Sequence, residues 1–282
     1  MHVRHPTQAG SFYAGDAESL RAQIESCFFH RFASGMLPKV GVDGPRKVVG
    51  LICPHAGYMY SGAVAANAYY ELALDGKPET VVIMGPNHTG YGSALALMDG
   101  GVWRTPLGDV EVDSVVAHKL CLETQLLDVD EVAHRYEHSI EVQLPFLQYL
   151  YGSEFKLVPI CFGLQDLDSA EEVGSALAEV LPGRNAVIIA SSDFTHYEPA
   201  VNAARKDGLA LRAVEALDAK QFLAVIESEN VTACGYGPIA AVITAARGLL
   251  AKEARLLQYK TSGDITGNNL SVVGYAAVTF RK

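Results

Sequence analysis

The sequence lacks the cysteine patterns that would hold a fold together or form a compact metal-binding module. Its five cysteines are an odd number, lie far apart in 282 residues, and include no Cys-x-x-Cys pair. This usage is typical of free cytoplasmic thiols and argues against a disulfide framework. There is also no His-Glu-x-x-His motif. Any metal site must therefore be assembled by the fold from distant residues.

Basic stretches and long apolar runs are absent as well. Lys and Arg number 22 against 32 Asp and Glu, which gives a formal charge of −10 with no run of like charge. This balance disfavours nonspecific binding to nucleic acid or to an anionic membrane. Apolar runs stop well short of the roughly 20 residues that span a bilayer, and the N-terminal segment lacks the apolar core of a signal peptide. We therefore expect a cytoplasmic location.

Short apolar segments alternate along the chain with amphipathic ones. Strands are predicted at 48–53, 80–84, 155–162, 186–190 and 272–280, and helices at 17–32, 61–74, 170–181, 200–217 and 239–252. Continuous apolar strands between helices predict an α/β fold, a three-layer αβα sandwich with a mostly parallel central sheet. The irregular stretch 95–112 predicts an inserted hairpin. With no linker or repeat in sight, we expect one domain over residues 1–282.

The predicted helix starts carry capping side chains. Asp16 precedes the helix at 17–32, and Asp168 or Ser169 is the expected cap of the helix at 170–181. Short polar side chains are favoured at such positions because they accept hydrogen bonds from the first unpaired main-chain N–H groups.

Polar side chains follow three of the predicted strands. His55 comes directly after the first strand, His88 after the second, and Asp193 with His196 after the strand at 186–190. Ligands in open parallel sheets bind beyond the carboxyl ends of the strands, so these residues are expected in one crevice. A lone histidine at a strand end is more often a structural residue, but three such strand ends beside Pro and Gly favour a functional site.

Cys234 lies in a glycine-containing loop, between Ala233 and Gly235, before the helix at 239–252. A lone cysteine is usually an inert small apolar residue, but this one has no apolar strand in which to be buried. Imidazole suits Zn, Cu and Fe, and a thiolate adds a soft ligand. Two histidines with one cysteine or carboxylate would leave coordination positions open, as in a catalytic site. The remaining cysteines are assigned to the core.

A second polar cluster spans residues 137–141. Glu137 and Glu141 are spaced by one helical turn, with His138 between them. One interpretation is a helix start, because glutamates near an N-terminus complement the helix dipole. The other is general acid–base chemistry, because a histidine beside carboxylates can carry a proton. The sequence leaves both open.

Six short motifs occur in order at 9–13, 54–58, 85–88, 137–141, 191–196 and 234–235. Together they resemble the Memo family, named for a mediator of cell motility downstream of a receptor tyrosine kinase. The resemblance implies a fold similar to the class III extradiol dioxygenases, which are non-haem Fe(II) enzymes that open catechol rings. It also implies AMMECR-type and radical-SAM proteins as partners, because microbial relatives are often grouped with them.

The same resemblance implies a ligand set. His55, His88 and Cys234 match the family's metal-binding positions, and Asp193 and His196 match residues that line the same pocket. Cys234 stands where the dioxygenases have a carboxylate, which disfavours ring cleavage and favours copper or redox chemistry. Fe(II) is the expected cofactor, with Cu or Zn as alternatives. Further pocket residues are expected at Glu137, Glu141, Tyr58 and Asn87.

Three functions remain open from the sequence. The favoured one is a metal-dependent oxidoreductase in which His196 is the acid–base group, Asp193 orients it, and His138 contacts substrate or a ligand. The second is a hydrolase with Cys234 as nucleophile and His196 or His55 as base.

The third is a non-catalytic module that binds a peptide or protein in the same pocket. Arg104 and Arg135 are the main basic residues near the motifs. Recognition of phosphorylated segments usually uses clustered arginines, so this composition makes the third function less favoured.

Overall fold

A computed structural model describes residues 2–42 and 46–282. The strands of these residues are β1 (Val3–Arg4), β2 (Val48–Cys53), β3 (Thr80–Pro86), β4 (Leu95–Leu97), β5 (Val102–Thr105), β6 (Gly108–Glu111), β7 (Asp128–Val129), β8 (Lys156–Phe162), β9 (Ala186–Ser191), β10 (His196–Glu198), β11 (Glu253–Thr261) and β12 (Val272–Arg281). The helices are α1 (Ala17–Phe29), α2 (Tyr58–Leu74), α3 (Ser114–Glu123), α4 (Leu144–Tyr151), α5 (Leu167–Val180), α6 (Ala200–Glu215), α7 (Ala219–Ser228), α8 (Tyr236–Gly248) and α9 (Ser262–Thr266).

The central sheet has a parallel middle and mostly antiparallel flanks. Its order is β10-β12-β2-β9-β3-β8-β4-β7, and β11 also pairs with β12. Strands β2, β9, β3 and β8 are parallel to one another. Strand β12 runs antiparallel to β2, and β4 antiparallel to β8. The predicted mostly parallel sheet is therefore confirmed, and its four parallel strands end at the same edge.

Helices cover both faces of this sheet because successive side chains of each buried strand point to opposite sides. In β3, Val81 and Ile83 join the core that packs under α1, α2 and α4. Val82 and Met84 join the second core, which packs under α3 and α5 to α8. The result is the predicted αβα layering. Among the described residues, no helix combines the length and apolar character needed to cross a bilayer.

The irregular stretch at 95–112 divides between the two sheets. Its first part, β4, joins the central sheet, whereas β5 and β6 form the predicted hairpin. The N-terminal strand β1 pairs in parallel with β5, which makes a separate sheet of β1, β5 and β6. This small sheet brings the first residues of the chain beside the segment that precedes α4.

Helix caps follow the sequence in one case and depart from it in another. Asp16 accepts a hydrogen bond from the main-chain N–H of Ser19, as predicted for α1. The cap of α5 is Asp166 instead of Asp168 or Ser169, because the helix begins earlier, at Leu167. Asp168 then lies in the first turn, where its charge complements the helix dipole.

Candidate metal centre

Three neighbouring strands deliver the main polar residues of the site. His55 follows β2, His88 follows β3, and Asp193 follows β9, which lies between β2 and β3 in the sheet. The strands are parallel, so their carboxyl ends meet at one edge and the three loops emerge side by side. His55, His88 and Asp193, which the sequence placed in one crevice, therefore lie together at this edge.

Three imidazoles form the centre of the crevice. Ring atoms of His55, His88 and His138 all lie within 4.8 Å of one another, close enough for one metal ion. The ring centroids of His88 and His138 are 4.4 Å apart and nearly parallel, and the ring of His55 stands edge-on to both. His55 is buried, His138 is partly exposed and His88 is exposed.

Hydrogen bonds fix the tautomer of His55. Its Nδ1 lies 2.9 Å from the hydroxyl oxygen of Ser191. That hydroxyl has one proton, which it donates to the carbonyl of Ser139 at 2.6 Å. It also accepts a hydrogen bond from the side-chain amide of Gln143 at 2.7 Å. Nδ1 of His55 must therefore be the donor, which leaves an unprotonated Nε2. The same Nε2 points towards Cys234.

Glu137 fixes the second ring in the same way. One carboxylate oxygen, Oε1, lies 2.9 Å from Nδ1 of His88 and also accepts main-chain N–H bonds from His138 and Ser139. The other oxygen accepts the main-chain N–H of His88 at 2.6 Å. Burial by itself would raise the pKa of Glu137, but the bonds and charge of His88 lower it to about 2. The ionised carboxylate only accepts, so His88 carries its proton on Nδ1 and leaves Nε2 free.

Burial favours the uncharged form of His55 and His138. Burial lowers the pKa of His55 well below its usual value, and the neighbouring imidazoles of His138 and His88 lower it further. Burial also lowers the pKa of His138 to about 4, although Glu137 opposes the shift. A metal ligand must be a neutral imidazole with a lone pair on the ring, and the lowered pKa values of His55 and His138 favour that form at neutral pH.

Cys234 lies beside this group. Its Sγ is 3.2 Å from Nε2 of His55 and 3.3 Å from the main-chain nitrogen of Asp193, but it is not among the atoms that lie within 4.8 Å of one another. Burial, and then the carboxyl of Asp193, raise the pKa of the thiol. Gly235 brings the loop close, because a Cβ there would lie 2.6 Å from the carbonyl oxygen of Ser191.

Asp193 and His196 border the same crevice. Oδ1 of Asp193 accepts the main-chain N–H of His55 at 2.9 Å, and burial raises the pKa of this carboxyl. Nδ1 of His196 lies 2.8 Å from the carbonyl of Thr232, which can only accept, so this ring also leaves Nε2 unprotonated. His196 is close enough to lower the pKa of His55. The ring of His196 is thus oriented by Thr232, whereas the predicted orienting residue, Asp193, bonds the main chain of His55.

Two of the other predicted pocket residues make structural contacts. The hydroxyl of Tyr58 donates to the carbonyl of Val142 in the core. Oδ1 of Asn87 accepts from the main-chain N–H groups of Thr89 and Gly90, which closes the turn after β3. These bonds do not direct either side chain towards the imidazoles, although Asn87 is adjacent to His88 in sequence.

Glu141 holds the N-terminal segment in place. Its buried carboxylate accepts hydrogen bonds from the guanidinium of Arg4, from main-chain and side-chain groups of Thr7, from the main chain of Gln8, and from the hydroxyl of Tyr13. The segment that these bonds hold carries the ring of Phe12, which lies 5.0 Å from that of His138. Glu141 thus acts on the centre through the N-terminal segment.

Sequence reasoning missed the residues that orient the rings. Ser191, Gln143 and Thr232 each bond a histidine of the site or the partner of one. Ser191 lies inside the motif at 191–196, so a search for acceptors near the predicted ligands would have included it. Gln143 and Thr232 carry no such signal, because only the fold brings them to the crevice.

Comparison with known proteins agrees with these observations. The family model described as Memo-like protein matches residues 4–279. A MEMO1 family protein of Methanopyrus kandleri is 52% identical over 281 residues, which covers 99% of each chain. A MEMO1 family protein of Methanothermobacter thermautotrophicus is 49% identical and covers 97% of this chain and 99% of its own.

A solved structure shares the fold at low sequence identity. The crystal structure of an uncharacterized protein from Escherichia coli K12 superposes with a TM-score of 0.58 at 14% identity. The match covers 83% of this chain and 99% of the other. This similarity supports the α/β architecture described above.

Proposed function

The chain belongs to the Memo-like protein family, and we propose that it binds a redox-active metal ion in this crevice and works as a metal-dependent oxidoreductase. His55 and His88 are the proposed histidine ligands. Fe(II) is the proposed ion, with copper as the alternative and Zn(II) as an ion that the same ligands would also accept. The substrate is proposed to enter from the exposed side of His88 and His138.

The protonation of the rings supports this proposal. His55 and His88 each donate Nδ1–H to a fixed acceptor, Ser191 and Glu137 respectively, so that each leaves Nε2 with a lone pair. Histidine ligands of metals are usually oriented by such a bond on the opposite ring nitrogen. In this group of three histidines, two therefore present an unprotonated Nε2. A purely structural histidine cluster would not require that arrangement.

Two residues are candidates for the third ligand. Cys234 has its Sγ beside Nε2 of His55, and a thiolate would favour copper or an iron centre with redox function. His138 belongs to the group within 4.8 Å and would complete a three-histidine site. Both arrangements leave coordination positions for substrate, as in catalytic centres. We propose Cys234 as the ligand and His138 as the residue that contacts substrate.

An ion at this position would supply Lewis acidity and a one-electron couple to a bound substrate. His196 then accepts or returns a proton at Nε2, because its Nδ1–H is held by the carbonyl of Thr232. Asp193 keeps the main chain of His55 in place and faces the same crevice. The ring of Phe12 beside His138 limits access of water on one side.

Metal analysis of protein purified without a His tag under anaerobic conditions tests the proposal. We expect near-stoichiometric iron or copper in the natural chain and its loss in His55→Ala and His88→Ala. His118→Ala is the matched control, because this exposed histidine pairs with Asp99, away from the imidazole group. Full metal content in His55→Ala would refute the proposed ligand assignment.

The third ligand is identified by a second comparison. Loading with Co(II) gives an intense thiolate charge-transfer band only if Cys234 is bound to the ion. We expect this band to disappear in Cys234→Ser and to persist in His138→Ala. The opposite result would place His138 in the coordination sphere and Cys234 outside it.

The contact between Cys234 and His55 favours one other function, a hydrolase or transferase with a cysteine nucleophile. The 3.2 Å distance suits a thiol–imidazole pair. The raised pKa of Cys234 opposes a nucleophilic role, because the nucleophile is the thiolate. Selective alkylation of Cys234 at neutral pH in metal-free protein would favour this alternative.

The alternative of phosphopeptide binding gains no support from Arg104. Its guanidinium donates two hydrogen bonds to Asp109, so it is already paired with a carboxylate.

A further inference from the structure

Tyr197 has a backbone conformation that tyrosine rarely adopts. Its φ is +61°, in the left-handed region where a Cβ atom crowds the following carbonyl oxygen. Its side chain is 80% exposed, so burial does not offset this unfavourable conformation. A residue in such a conformation persists only if the surroundings or the function require it, and these residues concentrate at functional sites.

The conformation is produced by a β-bulge. His196 pairs with Val273 and Glu198 with Val272, so Tyr197 is an extra residue on β10. Bulges redirect side chains and are frequent next to active sites. Here the bulge leaves His196 at the crevice, held by Thr232, and turns the tyrosine ring towards solvent.

Tyr197 lies at the border of the crevice. Its ring centroid is 5.7 Å from that of His196, in an edge-on contact. His196 follows Asp193 by three residues, so Tyr197 lies on the segment that continues from Asp193 into β10.

Two exposed apolar side chains lie on the segments beside the end of β10. Val201 and Leu270 are each 82% exposed. The main-chain N–H of Ala200 donates to the carbonyl of Asn269 at 3.0 Å, which brings the two segments together beside β10. The fold gains little from exposing large apolar groups there, whereas a ligand covering them would remove apolar area from water.

We propose that Tyr197, with Leu270 and Val201, binds an apolar or aromatic arm of the substrate whose polar end enters the imidazole crevice. The proposed substrates are therefore molecules in which a small metal-binding group is joined to an apolar group. Fully polar metabolites would not match this site. Tyr197 is a substrate-contacting residue that determines specificity. This inference rests on the proposed metal function of the same crevice.

Two hydroxamic acids test the inference because they share one metal-binding group and differ in the arm. Acetohydroxamic acid carries a methyl group, and benzohydroxamic acid a phenyl group. On the Co(II)-loaded chain we expect benzohydroxamate to bind at least about tenfold more tightly, the factor that burying a modest apolar area supplies. In Tyr197→Gly this preference is expected to fall to about threefold or less, with the affinity for acetohydroxamate unchanged.

Leu250→Gly is the matched control. Leu250 is also left-handed, with φ +67°, and 73% exposed, but it follows the C-terminal end of α8, whereas the crevice lies at the N-terminal end of that helix. Both glycine variants relieve an unfavourable conformation, so neither is expected to lower the melting temperature. Only Tyr197→Gly is expected to lose the preference for the phenyl arm.

The outcomes separate the two proposals. If the natural chain takes up no Co(II), the metal function fails and this inference fails with it. If it takes up Co(II) and binds both hydroxamates equally, the metal function stands and the inference alone is overturned. A fall of several degrees in the melting temperature of Tyr197→Gly would also overturn it, because the ring would then serve the fold.

Discussion

His88 and Glu137 meet through two hydrogen bonds at once. The main-chain nitrogen of His88 lies 2.6 Å from Oε2 of Glu137, and Nδ1 of its ring lies 2.9 Å from Oε1. The carboxylate therefore fixes both the backbone position and the tautomer of the histidine. A carboxylate behind a histidine also raises the basicity of the ring as a ligand.

Glu137→Gln is expected to weaken metal binding about 10- to 100-fold, the usual effect of removing an orienting carboxylate. The amide would keep the shape of the side chain but lose the charge that holds Nδ1–H of His88. Titration of the metal-free protein with Co(II) measures the effect. Glu131→Gln is the control, because this exposed glutamate pairs with His2. Equal affinity in the two variants would contradict the role given to Glu137.

Glu141 is expected to control stability in acid. Burial alone would raise its pKa, but the Arg4 guanidinium and the bonds from Tyr13 and Thr7 lower it. Since the pKa in the folded state lies below the unfolded value of about 4.3, the ionised carboxylate stabilises the fold above that pH. This stabilisation is lost as the pH falls through the folded-state pKa.

Glu141→Gln should therefore lower the free energy of unfolding at pH 7 by about 3–5 kcal/mol, because Arg4 is left buried without a counter-charge. It should also flatten the decline in stability below pH 5. Urea unfolding at pH 7, 5 and 4 measures both effects. Glu229→Gln, which removes an exposed pair with Arg205, should change stability by less than about 1 kcal/mol. Parallel pH profiles for Glu141→Gln and the natural chain would contradict the prediction.

Gly235→Ala is expected to move the loop that carries Cys234. The added Cβ would lie 2.6 Å from the carbonyl oxygen of Ser191 and 2.8 Å from Cβ of Ser192. Overpacking of this kind usually costs about 1–3 kcal/mol. We expect lower stability in urea and loss of the thiolate band of the Co(II) protein.

Gly208→Ala is the matched control for this variant. Among the described residues, a Cβ at Gly208, within α6, would meet the end of the flexible Arg212 side chain, at 3.9 Å, and nothing closer outside the helix backbone. Alanine should therefore stabilise the helix by about 0.5–1 kcal/mol and leave the Co(II) spectrum unchanged. A weakened spectrum in both variants would show that the effect is not specific to the Cys234 loop.

Asp207 is expected to hold the turn between Asp193 and His196. Its buried carboxyl accepts both the main-chain N–H and the hydroxyl of Thr195, and also the hydroxyl of Tyr259 at 2.6 Å. Asp207→Ala would leave these donors unpaired, at a cost of about 3 kcal/mol or more. Asp207→Asn keeps an acceptor for Thr195 and can donate to the oxygen of Tyr259, so its loss in urea unfolding should be about half as large or less. Equal losses in the two variants would show that the charge, and not the bonds, matters.

The sequence predicted the sheet well because its signals are local. Each central strand is a continuous apolar run, and His55 and His88 follow directly after two of them. Placing these residues together needed only the rule that parallel strands end at one edge. Metal ligation by Cys234 stays a prediction, since the sulfur neighbours His55 but does not belong to the group within 4.8 Å.

The segment at 137–141 shows where local patterns fail. The spacing of Glu137 and Glu141 suggested one face of a helix, but the chain is not helical until the 3-10 turn Glu141–Gln143 that precedes α4. The two carboxylates consequently serve different partners: Glu137 binds His88, whereas Glu141 binds Arg4 and Tyr13. Those partners are distant in sequence, so no periodicity could have revealed them.

The arrangement of β2, β9 and β3 has a consequence during synthesis. The bond between the main chain of His55 and the carboxylate of Asp193 joins residues 138 positions apart. A ribosome must therefore release most of the protein before the crevice can close, and contacts of such long range form late. A ligand that binds only the completed crevice stabilises the folded chain by mass action.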